Sequence, residues 1–429
     1  MAETDTFDSP TPAPASTSVS TVSAVADRPP RWLRWTTLFG PAFVVSMAYV
    51  DPGNFATNTA AGATYGYLLL WVIAAANVVA MFVQYLSAKL GAATGRSLPE
   101  LCREHCPRTL NAFLWVQAEV VAVATDLAEL IGGAIALNLL FGIPLIPGVL
   151  ITAAVALLLL MLAPQGRHRF ETVLAGMLLV ILLGFLYQAW NAGPTIDAAT
   201  GLVPRFAGAD SLLLASGIIG ATVMPHVVYL HSALTRHHAG PSPAPAARPR
   251  KPARRQIVAA LTFAGLANMT MLIVAAAVFH TRGHDGIDTL HEAHAGLGGL
   301  LGTGAATAFA LALLAAGLAS SSVGTYAGQI IMEGFLRRRV PLAVRRAATL
   351  VPAMGLLIAG LEPTRALVLS QVALSFGIPF ALFPLLVFTS RRSLMGTLVN
   401  RRTTTVLAAL AAALISGLNL FLLAQPFLG

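Results

Sequence analysis

The sequence predicts an all-α, polytopic membrane protein with an inverted internal repeat. Three observations predict it. Of 429 residues, 56% are hydrophobic and only 10% charged, whereas soluble domains carry about 25% charged residues. The apolar residues form long unbroken runs and do not alternate with polar ones, which excludes a membrane β-barrel. Two of those runs, five apart, are each interrupted near the middle by a proline among polar residues.

The elements follow in order. Residues 1–34, rich in Ser, Thr, Pro and Ala in their first part, read as a disordered cytoplasmic tail. Residues 35–429 form the membrane domain. Its first five spans lie at about Thr37–Ala61, Tyr67–Leu90, Leu110–Leu140, Ile146–Leu162 and Phe170–Trp190, filling about 37–190. The next five lie at about Ser211–Leu234, Gln256–His280, Leu301–Phe335, Ala343–Leu361 and Leu367–Phe388, filling about 211–388. An eleventh, Thr405–Leu423 (about 405–423), falls outside the repeat. Each run is of the length a helix needs to cross a bilayer. The first is too long and too polar at its centre for a cleaved signal peptide. The Pro-, Ala- and Arg-rich stretch 239–253 reads as a flexible cytoplasmic linker.

Charge placement sets the orientation. Twenty-four of the 27 lysines and arginines fall in the tail and in alternate loops, and only Arg205, Arg282 and Arg365 fall on the other side. Basic residues mark the cytoplasmic face, so the N-terminus is expected inside and the C-terminus outside. The net charge of +9 is then an orientation signal and not a nucleic-acid footprint. Lysine occurs only at Lys89 and Lys251, which with the alanine richness suggests a GC-rich bacterial genome and hence a bacterial plasma membrane. Cys102 and Cys106 share one short, cytoplasmic segment, so reduced thiols are expected and no disulfide framework. Cys102, His105 and Cys106 are too few for a convincing metal motif. His280, His284, His291 and His294, with Asp285, Asp288 and Glu292, form an outer loop that reads first as solvated and second as a loose metal collector.

The first span contains Ala48-Tyr49-Val50-Asp51-Pro52-Gly53-Asn54. Pro52 removes a backbone donor and Gly53 loosens the helix, so two half-helices are expected. Carbonyls freed there, such as that of Ala48, would face inward beside Asp51 and Asn54. Irregular backbone at membrane depth survives only where protein buries it or it lines a cavity. The stretch therefore reads as half of a cation site; a buried acid paired with a basic residue is the plainer account. The sixth span carries Ala221-Thr222-Val223-Met224-Pro225-His226, where Pro225 frees carbonyls including that of Ala221. Two interrupted spans in corresponding positions of two five-span halves point to an inverted-repeat transporter. Oxygens alone suit magnesium or calcium, and a sulfur ligand favours softer divalent metals. Met224 at the break reads as that ligand, with packing as the alternative. Gln371, mid-span in the tenth helix, and Gln84, mid-span in the second, could each add an oxygen or make a helix–helix hydrogen bond.

The third span holds Glu119, Asp126 and Glu129. Asp126 and Glu129 are three apart and share a helix face. Acids inside a span mark a proton or cation path. Pairing with Arg345 and Arg346 is the other account, and both hold together if the path needs an acceptor. His226 has a side chain suited to carrying protons near neutrality.

At Asp51-Pro52-Gly53-Asn54 and Met224-Pro225-His226 the chain resembles the Nramp family, and within it the bacterial MntH-type manganese transporters. The likeness runs from about Gly40 to the C-terminus. The resemblance implies a LeuT-type 5+5 fold with helices 1 and 6 broken and the metal between them. It implies Asp51, Asn54 and Met224 as side-chain ligands, Ala48 and Ala221 as carbonyl ligands, and Gln371 joining when the site closes. It implies a proton path through Asp51, His226, Glu129, Asp126, Arg345 and Arg346, with Glu119 and Asn268 near it. The expected function is proton-coupled import of divalent metal, manganese first, with iron and cadmium also carried. No bond is made or broken in the substrate, so no enzyme is expected. No cofactor is expected either; the metal is substrate, and the partners are the ion, the proton and the bilayer, with a monomer sufficient. A sodium-coupled amino-acid transporter of the same fold is the runner-up, although Asp51 would repel a substrate carboxylate. A metal channel or sensor is the alternative from another class.

Overall fold

The computed structural model of the protein describes residues 40–161, 167–193, 196–236, 251–283 and 287–428. The expected tail lies outside the described residues, and so does the expected linker as far as residue 250. The linker's expected end moves, because Lys251 already opens a helix. Pro252 does not prevent this, since the first turn of a helix has no donor to lose.

Among the described residues the regular elements are all helical. The first predicted span is two pieces, α1 (Pro41–Ala48) and α2 (Pro52–Tyr65). After α3 (Leu70–Thr94) come a short helix α4 (Leu98–His105) and the long α5 (Arg108–Phe141). Then follow α6 (Leu145–Leu160) and α7 (Arg167–Ala192). The sixth predicted span is again two pieces, α8 (Ala209–Thr222) and α9 (Pro225–Thr235). The chain continues through α10 (Lys251–Val278), a short α11 (Leu290–Leu301) and the long α12 (Thr303–Leu336). It ends with α13 (Leu342–Ile358), α14 (Pro363–Ser390) and α15 (Arg402–Leu428).

Eight helical stretches among the described residues are long and apolar enough to cross a membrane, with α8 and α9 counted together. The other three predicted spans are helical but shorter. α6 has 16 residues and α13 has 17, about 24 and 26 Å at 1.5 Å per residue. α1 and α2 together reach about 33 Å by the same rise. The helices α4 and α11 were not expected from the apolar runs. Each is announced by a capping box, Ser97 with Glu100 and Thr289 with Glu292, in which cap hydroxyl and third-residue carboxylate satisfy each other's backbone donors.

The centre is built from α5 and α12, which pack on each other along much of their length. α12 is rich in Ala, Gly and Ser, and small residues let membrane helices approach closely. At Gly317, for example, an added Cβ would meet the backbone N of Gly133 at 2.9 Å. α14 packs against α5 and α8, so it passes beside both the centre and the second broken span. Leu414 on α15, Val351 on α13 and Trp190 on α7 are among the large apolar residues left exposed. For a chain in lipid that outer surface carries no solvation penalty.

Candidate ion site between two broken helices

Both breaks are made by the same local chemistry. A helix carbonyl is normally bonded by the amide four residues later, and proline has no such donor. Pro52 thus leaves the carbonyl of Ala48 without its helical partner, and Pro225 does the same to Ala221. The chain from Tyr49 to Asp51 is non-helical, and Pro52 restarts the helix at its first position. Asp51 caps that restart, its Oδ1 accepting from Asn54 N at 2.8 Å. Pro225 restarts the second helix, with Met224 at the cap position making no side-chain cap bond.

Asn54 ties the two breaks together. Its Nδ2 donates to Asp51 Oδ1 at 2.7 Å, to the Ala221 carbonyl at 3.1 Å and to the Tyr49 carbonyl at 3.2 Å. Gln371 of α14 crosses both breaks. Its Nε2 lies 3.4 Å from Asp51 Oδ2. A Cβ on Gly53 would meet Gln371 Nε2 at 1.8 Å, and one on Gly220 would meet the Gln371 carbonyl at 1.9 Å. Only glycine allows this approach on either side. Asp51, Asn54, Met224, Ala48, Ala221 and Gln371 are all fully buried. Asn54 Oδ1 and Gln371 Oε1 are buried with no hydrogen-bond partner. A buried acceptor left unmade costs about 1–3 kcal/mol. Two such oxygens beside a buried carboxylate make a donor set that a cation would satisfy.

A supporting layer surrounds the first break. Asn268 Nδ2 donates to the Tyr49 carbonyl at 2.7 Å, and Asn58 Nδ2 donates to Asn268 Oδ1 at 3.1 Å. Gln84 Nε2 donates to the Tyr49 hydroxyl at 2.7 Å, and Gln84 Oε1 meets His231 Nδ1 at 2.8 Å. Gln84 therefore spends both ends of its amide on helix–helix bonds. Asn268 holds the backbone of the first break. Sequence alone does not mark Tyr49 or Asn58; the available signal was a polar residue inside the break for Tyr49 and one in the second turn of α2 for Asn58.

The acids form a second region. Asp126 and Glu129 on α5 are buried, and none of their four carboxylate oxygens has a hydrogen-bond partner. They press into a notch on α12: a Cβ on Gly324 would meet Glu129 Oε2 at 2.5 Å and Asp126 Oδ1 at 3.1 Å. One turn along α12, the guanidinium of Arg345 fills the place of a Cβ on Gly328. Arg345 Nη1 lies 3.0 Å from Glu119 Oε2. Arg346 Nη2 donates to Ser321 Oγ at 2.9 Å and to the Ser321 carbonyl at 3.2 Å. His226, in the first turn of α9, places Nδ1 3.3 Å from the hydroxyl of Thr125, the neighbour of Asp126. The predicted path residues other than Asp51, which stands at the first break, thus lie along one seam from the second break across α5 to α12 and α13. Of the three acids, only Glu119 is ion-paired with a predicted arginine.

Among the described residues no group of three or more His, Cys, Asp and Glu is placed to hold a metal. His284 and Asp285 lie outside the described residues. His291 Nε2 meets Asn138 Oδ1 at 2.9 Å and His280 Nδ1 meets the Ala63 carbonyl at 3.3 Å, so both are used in packing. Cys102 and Cys106 are free thiols. A hydrogen bond from Cys102, with Arg391 and His105 nearby, pulls the Cys106 thiol down to about 7.

Comparison with known proteins agrees with this geometry. The family model Nramp, natural resistance-associated macrophage protein-like, matches residues 42–425. The chain is 48% identical over 396 residues to the divalent metal cation transporter MntH of Klebsiella pneumoniae strain 342, covering 91% of this chain and 95% of that protein. It is 47% identical over 390 residues to the protein of that name from Yersinia pestis strain Pestoides F, covering 90% and 94%. A crystal structure of a variant of the Eremococcus coleocola manganese transporter superposes with a TM-score of 0.82 at 32% identity, covering 94% of this chain and 90% of that one. Mhp1, a nucleobase-cation-symport-1 family transporter, shares the fold alone, with a TM-score of 0.53 at 14% identity. From the two prolines that break its helices to the notch on α12, the chain belongs to the Nramp family.

Proposed function

We propose that the protein is a proton-coupled importer of divalent transition metals, manganese first, with iron and cadmium also carried. In this reading it crosses the bacterial plasma membrane eleven times, with the N-terminus in the cytoplasm and the C-terminus outside, and works as a monomer by alternating access. The single observation that carries it is the buried donor set at the two helix breaks, with its two unpartnered amide oxygens beside Asp51. The relatives, divalent metal cation and manganese transporters, support the same substrate class.

The division of labour follows from chemistry. Asp51 supplies the counter-charge without which a divalent ion would not leave water. Asn54, Gln371 and the carbonyls of Ala48 and Ala221 replace part of its hydration shell. Met224 adds a thioether, which gains little from magnesium or calcium and more from softer metals. After binding, the two halves rock to expose the ion to the cytoplasm. The proton moves from Asp51 past His226 to Glu129 and Asp126, whose oxygens are free to take it, and onward beside Arg345, Arg346 and Glu119. An amino-acid substrate is disfavoured because Asp51 would repel its carboxylate. A channel is disfavoured because every predicted ligand is fully buried.

The test is uptake of radioactive manganese into proteoliposomes with and without an inward pH gradient. Uptake accelerated by the gradient, with acidification of the lumen, is expected. Uptake indifferent to the gradient would remove the coupling, and no uptake would remove the transport reading.

A further inference from the structure

α14 carries two prolines of its own, Pro379 and Pro384, and Pro379 is the nearer to the ion site in sequence. By the rule that breaks the first and sixth spans, it deprives the carbonyl of Ser375 of its helical donor. Such a freed carbonyl inside a membrane is tolerated when a neighbouring helix bonds it. Here Asn419 of α15 does so, its Nδ2 donating to the Ser375 carbonyl at 2.8 Å. The other end of the same amide is also used. Asn419 Oδ1 accepts from the Ser375 hydroxyl at 2.7 Å and from the Ser216 hydroxyl at 3.3 Å. The Ser216 hydroxyl also lies 3.1 Å from Ser375 Oγ. All three residues are buried.

The cluster joins three helices next to the ion site. Ser375 is four residues from Gln371 on α14, and Ser216 is four residues from Gly220 on α8, so each pair shares a helix face. Gly220 is the residue whose missing side chain lets the Gln371 carbonyl approach. Pro379 makes α14 bendable one turn beyond Ser375, since proline is the commonest origin of a sharp helix kink. Gln371 Nε2 reaches Asp51 Oδ2 at 3.4 Å, long for a hydrogen bond, so a small change in the bend decides whether Gln371 engages.

We propose that Asn419 is a positioning residue: it fastens the proline hinge of α14 to α8 and thereby sets the reach of Gln371 over the two broken spans. The inference rests on the proposed role of Gln371 at the ion site and extends it to the eleventh span. That span lies outside the repeat, and this gives it work in the transport cycle.

The experiment measures the half-saturating manganese concentration and the maximal rate in proteoliposomes, with the melting temperature in detergent as a check on folding. Asn419→Leu is expected to raise the half-saturating concentration about two- to tenfold, the lower part of the range for directly coupled neighbours, because it acts on the ion through Gln371. In a Gln371→Ala background the same substitution is expected to add nothing. Pro379→Ala, which returns the missing backbone donor, is expected to restore the wild-type value in the Asn419→Leu chain. Ser216→Ala gives a milder rise and serves if Asn419→Leu does not fold. A full additional loss in the Gln371→Ala background, or a fall in melting temperature with unchanged half-saturation, would overturn the inference. If Gln371→Ala itself leaves half-saturation unchanged, the site reading has failed instead.

Discussion

The two broken spans restart their helices alike and cap them differently. Pro52 and Pro225 each occupy the first helical position, and each frees an alanine carbonyl four residues earlier. Before Pro52 stands Asp51, whose carboxylate accepts from the Asn54 amide. Before Pro225 stands Met224, whose side chain makes no cap bond. Aspartate is among the best caps, and replacing a good cap by an apolar residue costs about 1 kcal/mol. Helix physics therefore accounts for an acid at the first break and gives no reason for a thioether at the second. The reason has to come from what the side chain touches, either packing or an ion.

Three substitutions bear on that contrast. Asp51→Ala has the largest expected effect. It removes the counter-charge as well as the cap, so manganese binding should fall below detection by calorimetry. The cap alone predicts only about 1 kcal/mol of stability, a few degrees in melting temperature. Manganese binding retained by Asp51→Ala would reduce Asp51 to a cap.

Glu129→Gln touches neither break and so separates the ion site from the acids. Lumenal acidification during manganese uptake should be lost, while manganese affinity falls much less than in Asp51→Ala, because Glu129 hydrogen-bonds to none of the predicted ligands and glutamine keeps its shape while removing only its charge. A parallel fall in affinity and acidification would merge the two regions into one.

Met224→Ala has the smallest effect and discriminates most sharply. As a ligand, Met224 rejects hard ions by holding a position they would fill with oxygen. Its loss should weaken cadmium binding, affect manganese less, and admit competition from calcium or magnesium worth about 1–2 kcal/mol, or about tenfold. As packing, its loss should cost about 2–5 kcal/mol of stability with unchanged metal preference. Cadmium and manganese uptake in excess calcium and magnesium, beside a thermal melt, decides between them.

How much was legible in the sequence follows the same physics. Apolar runs gave every predicted span a helix, with described ends within five residues, because length in a bilayer is set by apolar content. The breaks were legible because proline acts on its own chain. The short helices α4 and α11 went unread although their capping boxes, Ser97 with Glu100 and Thr289 with Glu292, were present. What could not be read was pairing across the bundle. Nothing near Asn268 in sequence says that it holds the Tyr49 carbonyl, and nothing near Gly324 says that two acids lie against it. The bond from Asn419 to Ser375 was half legible: Pro379 announces a carbonyl in need of a donor, and only the fold says which helix supplies it.

Crystals grown with manganese and measured at a wavelength where manganese scatters anomalously would show whether the ion sits between the two breaks. One dominant peak is expected in contact with an Asp51 oxygen, Asn54 Oδ1 and the Met224 sulfur, with the Asn54 amide turned so that its oxygen faces the ion. A dominant peak against Asp126 and Glu129 in the notch of α12, with none between the breaks, would contradict it.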